Sequence, residues 1–588
     1  MKTIVFVVAL FACVGPLAAA GLLALPGKDF PFKSNGSKLE SGGWGLTGND
    51  YLGTYLTLAK PGRLELVVKA SGRGGIMHLH VGDKRFVQAV NEPNSHDFRF
   101  KCDLPAGVHS LRIELNCSPM RNDVTFLKVE SLSVSGDGAS LTDSEPNDAL
   151  ALKAADTYIE NYRKGSVELT LTNGRSKPLP AGTVVHVKLR KHAFDFGTAV
   201  YGTNASNGDW LRDSPAPGSD AFKYQQFLNT HFNMIVPENA GKWGSCEAER
   251  DKETMGFVDS MLAYAAKNGL KARMHCVMWG QSLPKWAETL LNTSIKGSTQ
   301  QERDAARKDL RGQITERINT LVRDRAGKYI QVDGINESAH QDEFLKAYGP
   351  DGVASIYDEI IKASAGRARV YFNEYNLFQW NQQFGYKDDY ANWYKDHIEK
   401  ILDSGMSPAN RARVGIGMQY YTSAEPDAIK YSPHSPVRIA KVLANLSIFE
   451  LPMSLTEFGV GKTGEQFAPK CLSDTMRLVF GSDRTTSFLM WGFQRSHIWT
   501  PASALVDDNW NLTETGKTYE QLLGIHNWGI AGLPTWTTDL TLKTDRKGHV
   551  SFRGFFGDYD VTVNGRTYSC ALTRDKSHLT VNVAQPSH

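Results

Sequence analysis

Eight short apolar runs, separated by stretches of helical periodicity, constrain this chain more than any other feature. The runs lie around 196–200, 234–237, 272–277, 330–335, 370–372, 414–418, 453–456 and 487–490. Between them, segments such as 255–268, 303–323 and 393–404 repeat apolar residues at three- and four-residue intervals, as amphipathic helices do. Short apolar runs alternating with helices are the pattern of parallel strands covered on both faces. Eight such units over about 330 residues predict an α/β architecture, a closed (β/α)8 TIM barrel with a few long loops.

At 588 residues the chain exceeds what one hydrophobic core organises, so roughly two to four domains are expected. A net charge of only +3 gives no electrostatic case for a nucleic-acid partner. Residues 1–20 read as a secretory signal: Lys2, an apolar run from Ile4 to Phe11 continuing to Leu17, then Ala18, Ala19 and Ala20. Gly15 and Pro16 break the run, which is short for a membrane span; a retained anchor is the alternative. The expectation is a secreted, extracellular chain with no membrane association after signal removal. Of seven cysteines, Cys13 lies in the signal, leaving Cys102, Cys117, Cys246, Cys276, Cys471 and Cys570. Such a set permits disulfides in an oxidising compartment. Cys102 and Cys117 fall in neighbouring predicted strands and form the best pair. No CxxC spacing suggests zinc.

Ahead of the barrel, segments such as 54–71, 77–90 and 109–116 read as strands separated by Gly, Pro and Asn turns. They predict a β-sandwich over 28–136, with carbohydrate binding and a structural or docking role both open. His78 and His80 alternate onto one strand face. That is a conceivable metal pair, but a site needs a third ligand, and no metal site is assigned. A structural calcium in this module stays open; no other cofactor is expected. Residues 137–148, rich in small and acidic side chains, form a linker. A helix over 149–164 follows, then strands 167–172 and 184–191, paired around a turn with Pro178, Pro180 and Gly182. Residues 149–193 thus lead into the barrel at 194–528.

Two barrel runs end in carboxylates. The fourth closes on Asn336 and Glu337, the seventh on Glu457, 120 residues or three units later. The C-terminal ends of the strands form the active face of such a barrel. Two carboxylates meeting there can cleave a glycosidic bond, one protonating the leaving oxygen and the other attacking or activating water. Either can instead cap a helix or pair with an arginine. Glu374, at the end of the fifth run, is a rival that spacing does not exclude.

Several ordered motifs carry a family resemblance. They are Phe232-Asn233 with Pro237-Glu238-Asn239 and Lys242-Trp243; Arg273, His275, Trp279, Pro284 and Trp286; Asp333 through Glu337; Asn373-Glu374-Tyr375-Asn376; Gly415, Gly417 and Gln419; Thr456-Glu457; and Trp491 to Trp499. Over about 155–524 they resemble glycoside hydrolase family 10, the retaining endo-β-1,4-xylanases. The closing segment around Arg553 to Tyr559 resembles a small β extension of plant-type members, here 529–588. The resemblance implies that Glu337 is the general acid/base and Glu457 the nucleophile. It further implies that Asn336 bonds the sugar 2-hydroxyl, that Glu238, Asn239 and Lys242 bind hydroxyls one sugar out, and that His275 and Gln419 serve the cleavage site. Trp279, Trp491 and Trp499 would wall that site with apolar surface. Xylan or a related β-linked polysaccharide is the implied partner, and a monomer is expected. The chain departs from the family where Tyr421 stands for a histidine that bonds the nucleophile, and where Gly280, Gln281 and Ser282 follow Trp279. Gly280 is expected to open space beside the site. Two other readings remain: a non-hydrolytic glycan-binding protein on a decayed hydrolase fold, and a barrel hydrolase of another β-linked polysaccharide.

Overall fold

A computed structural model describes residues 23–116, 125–142, 146–173, 175–204, 209–378, 390–423, 434–461, 466–576 and 578–583. The signal segment therefore lies outside the described residues, and among them no helix is long and apolar enough to cross a membrane.

The eight expected runs form eight parallel strands: β1 (Asp195–Val200), β2 (Met234–Pro237), β3 (Lys271–Met274), β4 (Gln331–Asn336), β5 (Arg369–Glu374), β6 (Val414–Thr422), β7 (Met453–Val460) and β8 (Thr485–Met490). Each pairs with the next, and β8 pairs with β1, so the sheet closes. Most strand residues are buried on both faces, which is why the runs are continuously apolar rather than alternating. Several of the intervening helices start at side-chain caps; Thr299, for example, accepts the backbone N–H of Glu302 at the head of Gln300–Ile318. Pairing shifts register within β4–β5, β6–β7 and β7–β8. Such irregularities re-aim side chains near strand ends, and these adjoin the C-terminal rim.

The N-terminal module is a sandwich of two six-stranded antiparallel sheets. It reaches beyond the expected 28–136. Leu23–Pro26 pairs with Phe126–Ser135, and Ala139–Leu141, expected in the linker, pairs with Asp50–Leu58. The Cys102–Cys117 pairing is not supported. Cys102 lies in His96–Leu104 of one sheet, whereas the strand leading toward Cys117, Gly107–Asn116, belongs to the other sheet and runs away from Cys102 for ten residues, roughly 30 Å. Cys117 itself lies outside the described residues.

The two strands expected to pair ahead of the barrel do not pair with each other. Lys164–Asn173 joins His549–Phe555 and His578–Val583, while Val184–His192 joins Asp539–Lys543 and Gly557–Val563. The segment before the barrel and the extension after it therefore build one small sandwich. Its alternating inward residues include Val167, Leu169, Val185, Val187, Val561 and Val563, all buried. Only a long-range pairing brings these halves together, so neither half carries a local signal for it.

The N-terminal module seats on the barrel's flank. Phe32, Tyr51, Tyr55 and Val108 belong to the same apolar cluster as the barrel rather than to the module's own core. Lys395, on the helix before β6 (Tyr390–Asp403), bonds the carbonyl of Asn49 at 2.6 Å and pairs with Asp50 at 3.1 Å; Lys395 and Asp50 are both nearly fully buried. Removing one partner of a buried pair strands the other charge. We expect Asp50→Ala to destabilise the chain by about 3 kcal/mol in denaturant unfolding, and Asp50→Ala with Lys395→Met to recover much of that loss.

Candidate active site

The strand register places the chemistry. Trp279 lies opposite Asn336, Asn336 opposite Asn373, and Gln419 opposite Glu457, so these side chains meet at the C-terminal rim. Glu337 follows β4 in a left-handed conformation, φ 56°, a strained state that persists where the surroundings fix it. Its backbone N–H is held by the Asn373 carbonyl at 2.7 Å. Its carboxyl accepts the Trp279 indole N–H at 2.8 Å on Oε2 and the Gln419 amide at 2.9 Å on Oε1. Glu457, on β7, accepts the Tyr421 hydroxyl at 2.5 Å on Oε2 and the Asn373 amide at 3.3 Å on Oε1.

Both carboxyls open onto one cleft of about 260 Å³, lined by Glu238, Asn239, Lys242, His275, Trp279, Glu337, Gln419, Tyr421, Glu457, Trp491 and Trp499. Eleven of the twelve residues nominated from the sequence thus meet there. Asn336 lies just beneath: it is buried, its Oδ1 accepts the Asn373 amide at 2.8 Å, and its Nδ2 has no hydrogen-bond partner among the described residues. Lys242 bonds Asn239 Oδ1 at 2.7 Å and sits 4.9 Å from the Trp279 ring centre. Trp491 meets His275 edge-on at 5.2 Å, and Trp499 lies 4.5 Å from the Tyr421 ring and is 41% exposed.

An ion network underlies this floor. Asp333 on β4 pairs with Arg273 and accepts from His275 Nδ1 at 2.9 Å. Burial raises the Asp333 pKa, but Arg273 and His275 outweigh it and hold the carboxyl below its ordinary range. Burial lowers His275, so the ring is neutral. Facing an ionised carboxylate, it must place its proton on Nδ1 and leave Nε2 as an acceptor.

Glu374 is set aside by its surroundings. It is fully buried, lies off the cleft, and accepts the N–H groups of Ala339 at 2.9 Å, His340 at 3.3 Å and Tyr375 at 3.0 Å, besides His340 Nδ1 at 2.7 Å. Gly280 does not open space: a side chain there would meet Glu343 Oε2 at 2.8 Å and Gln341 Cβ at 3.0 Å, so neighbouring residues already fill it. Gln281 and Ser282 are exposed and do not line the cleft. Sequence reasoning assigned no role to Asn373, which bonds both Asn336 and Glu457 and accepts the Thr456 hydroxyl at 2.6 Å. Its opposition to Asn336 in a parallel register was the available signal. Two glycines make the arrangement fit. A Cβ on Gly417 would strike Asn373 Oδ1 at 2.6 Å, and one on Gly459 would strike the Tyr421 ring at 2.7 Å.

Burial is the main force on both acidic groups, raising Glu337 to about 7 and Glu457 to about 8. The Glu337 charge further raises Glu457, so the two carboxyls resist ionising together near neutrality. The negative charge of Glu374 acts on Glu337 and favours its neutral form, while the Tyr421 hydroxyl and the positive charge of Lys242 favour ionised Glu457. Burial and the Glu457 charge push the Tyr421 phenol far up, so it remains a donor. Removing the Asp333 charge leaves Arg273 buried and unpaired; Asp333→Ala should cost about 3–5 kcal/mol by denaturant unfolding.

The chain is 26% identical over 415 residues to anti-sigma-I factor RsgI6 of Acetivibrio thermocellus, covering 70% of this chain and 46% of that protein. It is 24% identical over 421 residues to endo-1,4-beta-xylanase 1 of Arabidopsis thaliana, covering 71% and 38%. The chain thus spans about half the length, or less, of these curated relatives. Among solved structures, xylanase 10B from Thermotoga petrophila in complex with xylobiose is 18% identical, with 56% of this chain and 93% of that chain covered and a TM-score of 0.43. The family model for glycosyl hydrolase family 10 matches residues 189–521. That span takes in more than half of the chain and all eight barrel strands with both carboxylates, and the chain belongs to glycosyl hydrolase family 10.

Proposed function

We propose that this chain is a secreted, retaining endo-1,4-β-xylanase that cleaves internal bonds of xylan. The observation that carries the reading is the pair of buried carboxyls, Glu337 and Glu457, each with its own hydrogen-bond donors in one cleft. In the first step, protonated Glu337 gives its proton to the glycosidic oxygen while Glu457 attacks the anomeric carbon, forming a covalent glycosyl-enzyme and releasing the distal sugar chain. In the second, Glu337, now a carboxylate, takes a proton from water. The water oxygen displaces Glu457 from the anomeric carbon, and the starting configuration returns. Asn336 has a buried, unpartnered Nδ2, a donor that a sugar 2-hydroxyl would satisfy. Glu238, Asn239 and Lys242 bind the next sugar, and the tryptophans present flat apolar surface to pyranose faces. His275 Nε2 accepts from a hydroxyl at the scissile sugar.

Tyr421 performs here the task of a nucleophile-orienting donor. Its phenol remains protonated across the working range, so it supplies direction and a hydrogen bond without contributing a charge. The N-terminal module sits on the barrel flank; the proposal leaves its carbohydrate ligand, a structural calcium and a monomeric state as expectations of the same reading.

The decisive experiment follows anomeric configuration by NMR during hydrolysis of xylan and its oligomers. β-Anomer products from the wild type and none from Glu457→Ala support the mechanism. No cleavage by the wild type, or initial α-anomer release, overturns it. The pH profile gives a second test. Glu337 must be protonated to act, and its pKa is raised to about 7, so the basic limb of kcat/KM should fall as pH rises through about 7. Tyr421→Phe removes a bond that lowers the pKa of Glu457, so its acidic limb should move upward and kcat should drop on the order of tenfold to a hundredfold.

A further inference from the structure

The module's seat on the barrel contains a cluster that the catalytic reading does not use. In Gly75–Val81, Met77, Leu79 and Val81 enter the sandwich core. His78 and His80 alternate onto the other face, which would be open to water in an isolated sandwich. Here it is covered. His78 and His80 are 3% and 5% exposed, and Glu114, directly opposite His78 on Gly107–Asn116, is fully buried. The third ligand that the two histidines lacked in the sequence is therefore supplied by the neighbouring strand.

The three side chains each bring one donor atom, and these atoms lie within 4.8 Å of one another. His80 Nε2 and Glu114 Oε2 approach to 3.0 Å, so an imidazole nitrogen and a carboxylate oxygen already face each other inside the seat. Lone pairs converging on a shared point are what a metal site presents, and donors around a tetrahedral zinc ion stand about 3.3 Å apart. The outer contacts suit such a site. Arg112 donates to Glu114 Oε1 at 3.0 Å, fixing that carboxylate and leaving Oε2 inward. Glu450, from the loop before β7, lies 3.3 Å from His78 Nδ1 and is itself held by Arg85 and, at 3.7 Å, Arg484. A carboxylate at one imidazole nitrogen orients the ring and tunes the basicity of the other.

We propose that His78, His80 and Glu114 form a binding site for a divalent transition-metal ion, with zinc as the best chemical fit. Two imidazoles and one carboxylate favour zinc over calcium or magnesium, which take oxygen shells. The ligands come from the module and the orienting Glu450 from the barrel, so the ion ties the two together. The site is structural: it lies on the barrel flank, beside the loops that enter β7 and β8 rather than at the C-terminal rim where Glu337 and Glu457 sit.

The test uses the full chain after treatment with a chelator and titrates Zn²⁺ alone by calorimetry, with Ca²⁺ as control. We expect one Zn²⁺ per chain, a higher melting temperature with Zn²⁺ and none with Ca²⁺. Affinity should fall at least about tenfold in His80→Gln and in Glu114→Gln, with xylan hydrolysis unchanged. No stoichiometric zinc binding by the wild type, or equal binding by wild type and variants, overturns the proposal. Co²⁺ substitution of the wild type gives a reading independent of variant folding. Visible bands of four- or five-coordinate cobalt without thiolate charge transfer support the ligand set, and a spectrum of free aqueous cobalt overturns it.

Discussion

Asn373 ties the two halves of the cleft together. One side-chain amide reaches Asn336 on β4 and Glu457 on β7, while its oxygen accepts the Thr456 hydroxyl. Glu337 and Glu457 stand at strands three positions apart in the barrel, so their relation depends on the strands between them. Asn373 spans that gap with hydrogen bonds in a buried setting, where such bonds are strong and an unsatisfied amide is costly. The missing side chain of Gly417 gives it room. A rigid scaffold that holds donors in place before substrate arrives is the main catalytic resource of a site of this kind.

The same burial that holds the geometry sets the protonation. Two buried carboxyls in one cleft cannot both ionise cheaply, and the pair keeps a proton into the neutral range. Double-displacement chemistry requires that state, with one acid and one carboxylate at the same pH. Glu374 contributes without touching the cleft. Fully buried and bonded by backbone N–H groups and His340, it places a fixed negative charge near Glu337. Asp333 plays a comparable part below His275, neutralised by Arg273 and setting the imidazole tautomer.

Around this barrel the chain places two further β-sandwiches, and each solves a packing problem differently. The N-terminal one has its own core and turns a mixed apolar and polar sheet face toward the barrel, so charged groups such as Lys395 and Asp50 become buried at the seat. Buried charges persist only when paired, and the seat is accordingly rich in pairs. The second sandwich has no contiguous sequence of its own. It joins 164–192 to 539–583 across the whole barrel, locking the ends of the catalytic body together.

Local pattern determined much of this protein. Eight apolar runs separated by amphipathic segments specify eight buried strands and their order, because strand and helix periodicities are properties of neighbouring residues. Glu337 and Glu457 were legible because they sit at run ends, and barrel closure gathers run ends on one rim, while Trp279 and Gln419 were legible through the family resemblance. What only the tertiary structure decided are relations between distant segments. Glu374 and Glu337 look alike in sequence, yet the backbone N–H groups of 339, 340 and 375 fold around the first, while the second faces the cleft. Gly280 suggests open space until Gln341 and Glu343 are seen to fill it. His78 and His80 show half of a cluster, and Glu114 completes it only through antiparallel pairing with a strand some thirty residues on. Such contacts depend on which strands pair and in what register, and a side chain's neighbours across a sheet leave no periodic trace in its own segment.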